Sequence, residues 1–215
     1  IGAMTPPEQS WCAIEPGSGM PEDRKDAVTK GTERITETVF DYLGRSRFST
    51  ESHSMAADMM TSMGFLVIDK GTPESPLRVR AVPIHECYPV EGPDGDIQNV
   101  YRKYKCRVSH IVETWPAAKL TARLARILKD KPREKVELVE ATVYEPKKGY
   151  RFTVFDPSDR AILFDVPPSD PDEPSRWITP RMFKRPGDNY GYGPAVVALP
   201  TIRTVSYTHL RAHET

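Results

Sequence analysis

His85, Glu86 and Cys87 are three potentially reactive side chains that follow one another in the sequence. A His/Cys pair can ligate a metal ion or act as base and nucleophile. In a strand, which the surrounding pattern predicts, His85 and Cys87 share one face and Glu86 lies on the other. The sequence contains no HExxH, CxxC or GxSxG motif. It therefore favours a structural His and Cys, with no catalytic residue and no metal site. A small intracellular enzyme that uses this pair is an alternative.

Basic and aromatic side chains interleave in the next predicted strand. They are Tyr101, Arg102, Lys103, Tyr104, Lys105 and Arg107. Such a strand can follow a phosphate backbone and stack bases, so a nucleic-acid-binding module is a second alternative. The pattern is more typical of a solvated edge strand protected by its charges. The acidic stretch at residues 165–173 also argues against nucleic acid, because it would repel phosphate.

Composition excludes several classes of protein. The chain has 215 residues, with 30 Lys and Arg against 30 Asp and Glu, so whole-chain charge attracts neither nucleic acid nor an acidic membrane. A mean hydropathy of -0.52 and short apolar runs predict no membrane segment. Cys12, Cys87 and Cys106 are widely spaced, which predicts reduced thiols. The glycine-rich segment at residues 187–193 lacks the lysine of a phosphate-binding loop, so no cofactor is predicted.

Helices and strands follow from the apolar periodicity. An amphipathic helix is predicted at residues 21–43, with Val28, Ile35, Val39 and Leu43 on one stripe. A second helix is predicted after a Ser49/Thr50 cap, with a methionine stripe that favours a core position, and further helices at 109–115 and 117–129. Strands are predicted at residues 65–68, 77–82, 84–90, 97–106, 136–144, 150–155 and 161–166. This order predicts an α+β fold with N-terminal helices followed by a mainly antiparallel sheet and one intervening helix.

The sequence also suggests how the chain is divided. Residues 1–21 read as a connector with Trp11 as its only large anchor, residues 22–193 as an α+β domain, and residues 194–204 as the start of a truncated helical region. Residues 205–215 (VSYTHLRAHET) resemble the translation of a transposon sequencing adapter. We therefore expect an artefactual tail and a fragment that is incomplete at both ends.

The segment at residues 177–204 (WITPRMFKRPGDNYGYGPAVVALPTIRT) carries the most information. Gly191 and Gly193 allow a positive φ or a close backbone approach. Pro194 suits the first position of a helix, and an apolar helix follows it. The segment is thus predicted to be a rigid junction between a β-rich domain and a helical element.

This segment resembles the head-to-tail connecting (portal) protein family of short-tailed phages, in which a similar turn precedes a helical region. The family-motif residues are Asp188, Tyr190, Gly191, Gly193 and Pro194. Weaker similarities occur in order upstream: TPPEQSW, RITETVFDYLGRSRF, MMTSMGFLVID, IHECYPVEGPDGDIQNVYRKYK and VSHIVETWP. Together they span nearly all of residues 5–204.

The resemblance implies a structural virion protein and not an enzyme. It implies a homo-oligomeric ring, typically of twelve copies, at the head–tail vertex, through which phage DNA is packaged and ejected. The implied partners are capsid, tail or adaptor and terminase proteins and genomic DNA, with no membrane and no cofactor. Assembly would take place in the host cytoplasm. On this basis residues 22–193 correspond mainly to the portal wing, and Arg102, Lys103, Lys105 and Arg107 are possible DNA or interface contacts.

Overall fold

A computed structural model of the protein describes residues 10–212, apart from the side chains of Glu22 and of residues 205–212. The chain forms two compact units. Unit 1 combines residues 10–82, Ile178–Phe183 and residues 192–212, and unit 2 combines Pro83–Trp177 and Lys184–Gly191. Unit 1 is therefore assembled from three separate stretches of sequence. No helix in the described range is long and apolar enough to cross a membrane.

Unit 1 contains the N-terminal helices and a small sheet. Its elements are α1 (Glu22–Arg45), α2 (Phe48–Met59), β1 (Leu66–Lys70) and β2 (Leu77–Ala81), and after unit 2 the chain adds β8 (Trp177–Ile178) and α5 (Pro194–Ala212). The sheet has the order β2-β1-β8, and β1 pairs antiparallel with β2. Its core is formed by Met63, Phe65, Leu66 and Val67, none of which is exposed. Each fully buried side chain of this size contributes about 1.5–3 kcal/mol.

The N-terminal connector packs on the two helices, as its single tryptophan suggests. The Trp11 ring lies 5.3 Å from the Phe40 ring, edge to face, and 6.2 Å from the Phe48 ring, stacked. The Ile14 amide donates to Oγ1 of Thr36 at 3.1 Å. These contacts hold residues 11–14 against α1.

Three details of the helices differ from the prediction. The apolar stripe of α1 is not a core stripe, because Ile35 and Val39 are 53% and 39% exposed and the buried position is Thr36. The second helix begins at Phe48 instead of after Ser49 and Thr50, and it has no side-chain cap. The methionine stripe is divided, since Met63 is buried but Met60 is 51% exposed.

Unit 2 is a five-stranded antiparallel sheet with two helices. Its strands are β3 (Cys87–Glu91), β4 (Ile97–Arg107), β5 (Lys135–Glu145), β6 (Gly149–Asp156) and β7 (Ala161–Val166), and its helices are α3 (Val108–Thr114) and α4 (Ala122–Asp130). The strands pair in sequence order, β3-β4-β5-β6-β7. The core is formed by Val108 and Ile111 of α3, Leu124 of α4, and Val136, Leu138, Val154 and Leu163. The predicted α+β class is confirmed.

Three sequence expectations for unit 2 are corrected. Strand β4 is not an edge strand, because β3 and β5 pair with it on both sides. Helix α4 begins at Ala122 and not at residue 117, because the Thr121 side chain caps it by accepting from the Leu124 amide at 3.2 Å. Residues Ile84–Glu86 form a 3-10 turn, in which the Glu86 amide donates to the Pro83 carbonyl at 3.0 Å, so β3 begins only at Cys87.

Candidate functional site

The family-motif loop, residues 184–191, contacts the β3–β4 hairpin within unit 2. Lys184 Nζ lies 2.8 Å from a carboxylate oxygen of Glu91 and donates to the Gly95 carbonyl at 2.9 Å. Oδ1 of Asn189 accepts from the Glu91 amide at 3.2 Å. The start of the loop and its middle are therefore bound to the same few residues of the hairpin.

Tyr190 completes this contact. Its hydroxyl donates to the carbonyl oxygen of Cys87 at 2.8 Å. Partial burial raises the pKa of the Tyr190 hydroxyl, and Tyr88 and Cys87 act in the same direction, so the hydroxyl stays a donor. The Asp188 amide closes the turn by donating to the Arg185 carbonyl at 3.2 Å, while Asp188 itself is exposed. The left-handed backbone of the turn falls at Gly187, with φ of 85°, while Gly191 is buried.

Gly193 provides the close backbone approach in unit 1. Its amide donates to the Thr61 carbonyl at 3.1 Å, and the Ala195 amide donates to the Met60 carbonyl at 2.9 Å. A Cβ atom at residue 193 would lie 2.2 Å from the Met59 carbonyl oxygen and 2.3 Å from that of Met60. Only glycine fits between these groups without a shift of backbone.

Helix α5 begins directly after this contact. Pro194 is its first residue, as the sequence predicts, because the missing amide hydrogen is not needed there. Two positions before Pro194, Tyr192 pairs with Phe183 through two backbone hydrogen bonds of 2.9 and 3.3 Å, and their rings stack at 5.4 Å. The first turn of α5 is thus fixed to the end of α2 and to a short bridge.

The first turns of α5, up to Thr204, expose four large apolar side chains. Val196, Val197, Leu199 and Ile202 are 41%, 57%, 43% and 54% exposed. At 100° per residue these four side chains point in directions that cover most of the helix circumference.

The predicted basic strand divides between the two faces of the sheet. Arg102 is only 8% exposed and pairs with Glu86 at 2.7 Å and with Glu140 at 3.3 Å. Its guanidinium also lies 3.8 Å from the centre of the Tyr104 ring. Arg102 therefore belongs to the interior of unit 2 and is not available to a phosphate backbone.

The other three cations of the strand are exposed, but they are not alike. Lys103 pairs with Glu137 at 3.1 Å on the neighbouring strand. Lys105 and Arg107 are exposed, and no ion pair is formed by either with the residues that the structure describes. Tyr101 and Tyr104 are half-buried and lie on opposite faces, so they do not form a stacking platform for consecutive bases.

His85 and Cys87 do not form a common site. His85 is exposed in the 3-10 turn, whereas Cys87 is buried at the start of β3. The expectation that both share one face of a strand was wrong, because His85 is not in a strand. The third residue, Glu86, serves as an ion-pair partner of Arg102. Residues 10–212 contain no group of three His, Cys, Asp or Glu side chains that could hold a metal ion.

Sequence reasoning missed the residues that the motif contacts. Lys184 precedes the motif and Asn189 lies within it, but their partner Glu91 is 98 residues before Asn189 in the chain. Glu140 was also missed, and Glu86 was singled out without its pairing to Arg102. The alternation of Val100, Arg102 and Tyr104 was a signal, since it places Arg102 on the same face as an apolar core residue.

The start of α5 is thus anchored and its first turns expose apolar side chains, which is the kind of surface that assembly proteins cover with a partner. The chain belongs to the bacteriophage head to tail connecting protein family, whose model matches residues 1–214. No curated protein matched the sequence. Membership gives the chain a structural role at the head–tail connection of a phage particle.

Proposed function

We propose that this chain is a subunit of a closed homo-oligomeric portal ring at the head–tail vertex. Phage DNA is packaged and ejected through the channel of the ring. The ring assembles in the host cytoplasm and contacts capsid, tail or adaptor and terminase proteins. The chain itself has no enzymatic activity and no cofactor in this role, and about a dozen copies close the ring.

The observation that carries the proposal, together with the family match, is the exposed apolar surface of α5. Val197 and Leu199 are two positions apart in α5, so their side chains point about 160° apart and one flat partner surface does not cover both. A subunit in a cyclic ring contacts a neighbour on each side through two different surfaces. A ring therefore offers α5 the several covering surfaces that its residues require.

The proposal is tested by expressing the complete reading frame that encodes this sequence. Native mass spectrometry and negative-stain microscopy then report copy number and shape. Closed rings of about a dozen copies support the proposal, and a stable monomer contradicts it. Sequencing of that complete reading frame tests the separate prediction that residues 205–215 derive from a sequencing adapter.

A matched pair of variants shows whether α5 is the covered surface. Val197→Asn with Ile202→Asn replaces two exposed apolar side chains and is expected to prevent ring closure while the subunit still folds. Thr201→Asn makes a similar change at an exposed polar position of the same helix, and rings should persist. Normal rings from the double variant contradict a role for α5 in assembly.

No described feature favours the nucleic-acid-binding module as a separate function. The strand that suggested it has one cation buried in ion pairs and a second paired with a neighbouring carboxylate. DNA contact within the channel belongs to the ring proposal, and the packaging role predicts empty heads in phage that lack this chain.

A further inference from the structure

One end of the sheet in unit 2 carries exposed, unpaired cations. Arg107, the last residue of β4, lies directly opposite Lys135, the first residue of β5. Arg133 lies in the turn between α4 and β5, where the Pro132 carbonyl accepts from the Ser109 amide and the Glu134 carbonyl accepts from the Val108 amide. Arg107, Arg133 and Lys135 are all exposed, and none has an ion pair within the described residues. We call these three residues the basic end.

The opposite end of the same sheet carries an acidic loop, defined as Asp170, Asp172 and Glu173. The loop follows β7 and lies against Gly149 at the start of β6, where a Cβ atom would be 2.2 Å from the Asp170 carbonyl oxygen. The three acids are exposed, and none forms an ion pair with a cation whose side chain the structure describes. Asp170 accepts from the Asp172 amide, and Glu173 accepts from the Ser169 hydroxyl. The nearby turn also carries Lys147 and Lys148, of which Lys148 pairs with Glu145.

The two patches do not meet within one subunit. Strand β5 runs between them for 11 residues, or about 33 Å at roughly 3.3 Å per residue. A hydrogen-bonded five-stranded sheet does not fold back over that distance. Three unpaired cations and three unpaired carboxylates therefore stand at opposite ends of one rigid element.

We propose that the basic end of one subunit docks against the acidic loop of the next copy of this chain. The inference rests on the proposed ring, because a cyclic ring brings one surface of each subunit to a different surface of its neighbour. Opposite charge at the two surfaces then fixes the register of the contact and disfavours association in the wrong orientation. A second copy is favoured over DNA as the occupant, because it explains both patches and DNA explains only the basic one.

Two charge-reversed forms of the complete protein test the contact. The first replaces Asp170, Asp172 and Glu173 with Lys, and the second replaces Arg107, Arg133 and Lys135 with Glu. Each form alone brings like charges together at every interface, so the ring yield at about 0.1 M salt is expected to fall by roughly tenfold or more. An equimolar mixture restores complementary charge at every interface of an alternating ring. We expect rings that contain the two forms in equal number, read from the native mass.

Controls separate this inference from the ring proposal. Lys30→Glu, Arg34→Glu and Lys70→Glu reverse three exposed cations of unit 1, and rings should form as in the unchanged protein. If the unchanged protein forms no ring, the proposed function fails. If it forms rings and the mixture of reversed forms does not restore them, the docking contact is wrong. If the form in which Glu replaces Arg107, Arg133 and Lys135 assembles into normal rings that no longer retain a short DNA duplex, the basic end contacts DNA instead.

Discussion

The hydroxyl of Tyr190 and the carbonyl oxygen of Cys87 are 2.8 Å apart, which joins a family-motif residue to the first residue of β3. The acceptor is a backbone group, so the bond does not depend on the thiol of Cys87. Tyr190 therefore contacts the backbone of the β3–β4 hairpin and not the side chain of Cys87. Asn189 likewise contacts a backbone group, the Glu91 amide, whereas Lys184 contacts both the Gly95 carbonyl and the Glu91 carboxylate.

Replacing Tyr190 with Phe removes this hydrogen bond and leaves the ring in place. We expect the free energy of unfolding to fall by about 1 kcal/mol, because one hydrogen bond is lost without a large cavity. Urea titration followed by circular dichroism measures the change. Tyr88→Phe is the matched control, because Tyr88 is a nearby tyrosine that is 49% exposed and should show almost no effect. Equal losses for both variants contradict a specific role for Tyr190.

Gly193→Ala tests the close approach at the start of α5. A methyl group between the Met59 and Met60 carbonyls forces the backbone to move, and we expect a loss of about 2–3 kcal/mol in stability. Gly31→Ala should instead increase the free energy of unfolding. Gly31 lies within α1 with open space around it, so alanine is expected to stabilise by about 0.5–1 kcal/mol. Thermal unfolding of both variants checks the difference, and two similar Tm values count against the close packing.

The Arg102–Glu140 pair is expected to behave as a unit. Arg102→Met leaves the 3% exposed Glu140 without its buried cation, at a cost of about 3–5 kcal/mol. Adding Glu140→Met removes the stranded charge and should recover much of that loss. A double-mutant cycle from urea unfolding measures the coupling. Additive effects of the two changes contradict the pairing.

High pH should weaken unit 2 through Cys106. Burial raises the pKa of the Cys106 thiol to about 11, and Glu140 acts in the same direction. The unfolded thiol loses its proton near pH 9 while the folded thiol keeps it, so stability is complete below pH 9 and falls as pH rises towards 11. Each pH unit in this window lowers the free energy of unfolding by up to about 1.4 kcal/mol.

The Cys106→Ala variant provides the comparison for that slope. Its free energy of unfolding should fall less between pH 9 and pH 10, and urea titrations at pH 8, 9 and 10 measure this. Burial also raises the pKa of the Tyr104 hydroxyl, so some decline above pH 10 remains in the variant. Identical pH dependence in both proteins contradicts the burial of the thiol.

Local patterns were sufficient for most elements of the sheet in unit 2. Alternation and turn residues predicted β7 at its observed bounds, and β5 and β6 within a residue or two. These patterns failed where a short-range contact favoured a different local structure. The turn after Pro83 took residues 84–86 out of β3, and the Thr121 side chain delayed the start of α4. Thr121 before an apolar helix was a readable capping signal.

Long-range features of the site could not be predicted from the sequence. Whether β4 is central or at an edge depends on which strands pair with it, and no local property of residues 97–107 sets that. The motif glycine at residue 193 was predicted to allow either a positive φ or a close approach. In the structure, the positions of the Met59 and Met60 carbonyls show that the close backbone approach is what requires glycine.

The division of unit 1 into three stretches sets an order for its folding on the ribosome. Unit 2 is almost continuous in sequence, from Pro83 to Trp177, and its meander pairs neighbouring strands, so it has nearly all of its partners when Trp177 emerges. Unit 1 is completed later, because the Gly64 amide donates to the Pro180 carbonyl and the Ala195 amide donates to the Met60 carbonyl. Residues 10–82 are therefore synthesised before unit 2 but belong to the unit that is completed last. During that interval Phe65 and Leu66 lack part of their cover, and a nascent chain is most exposed to aggregation there.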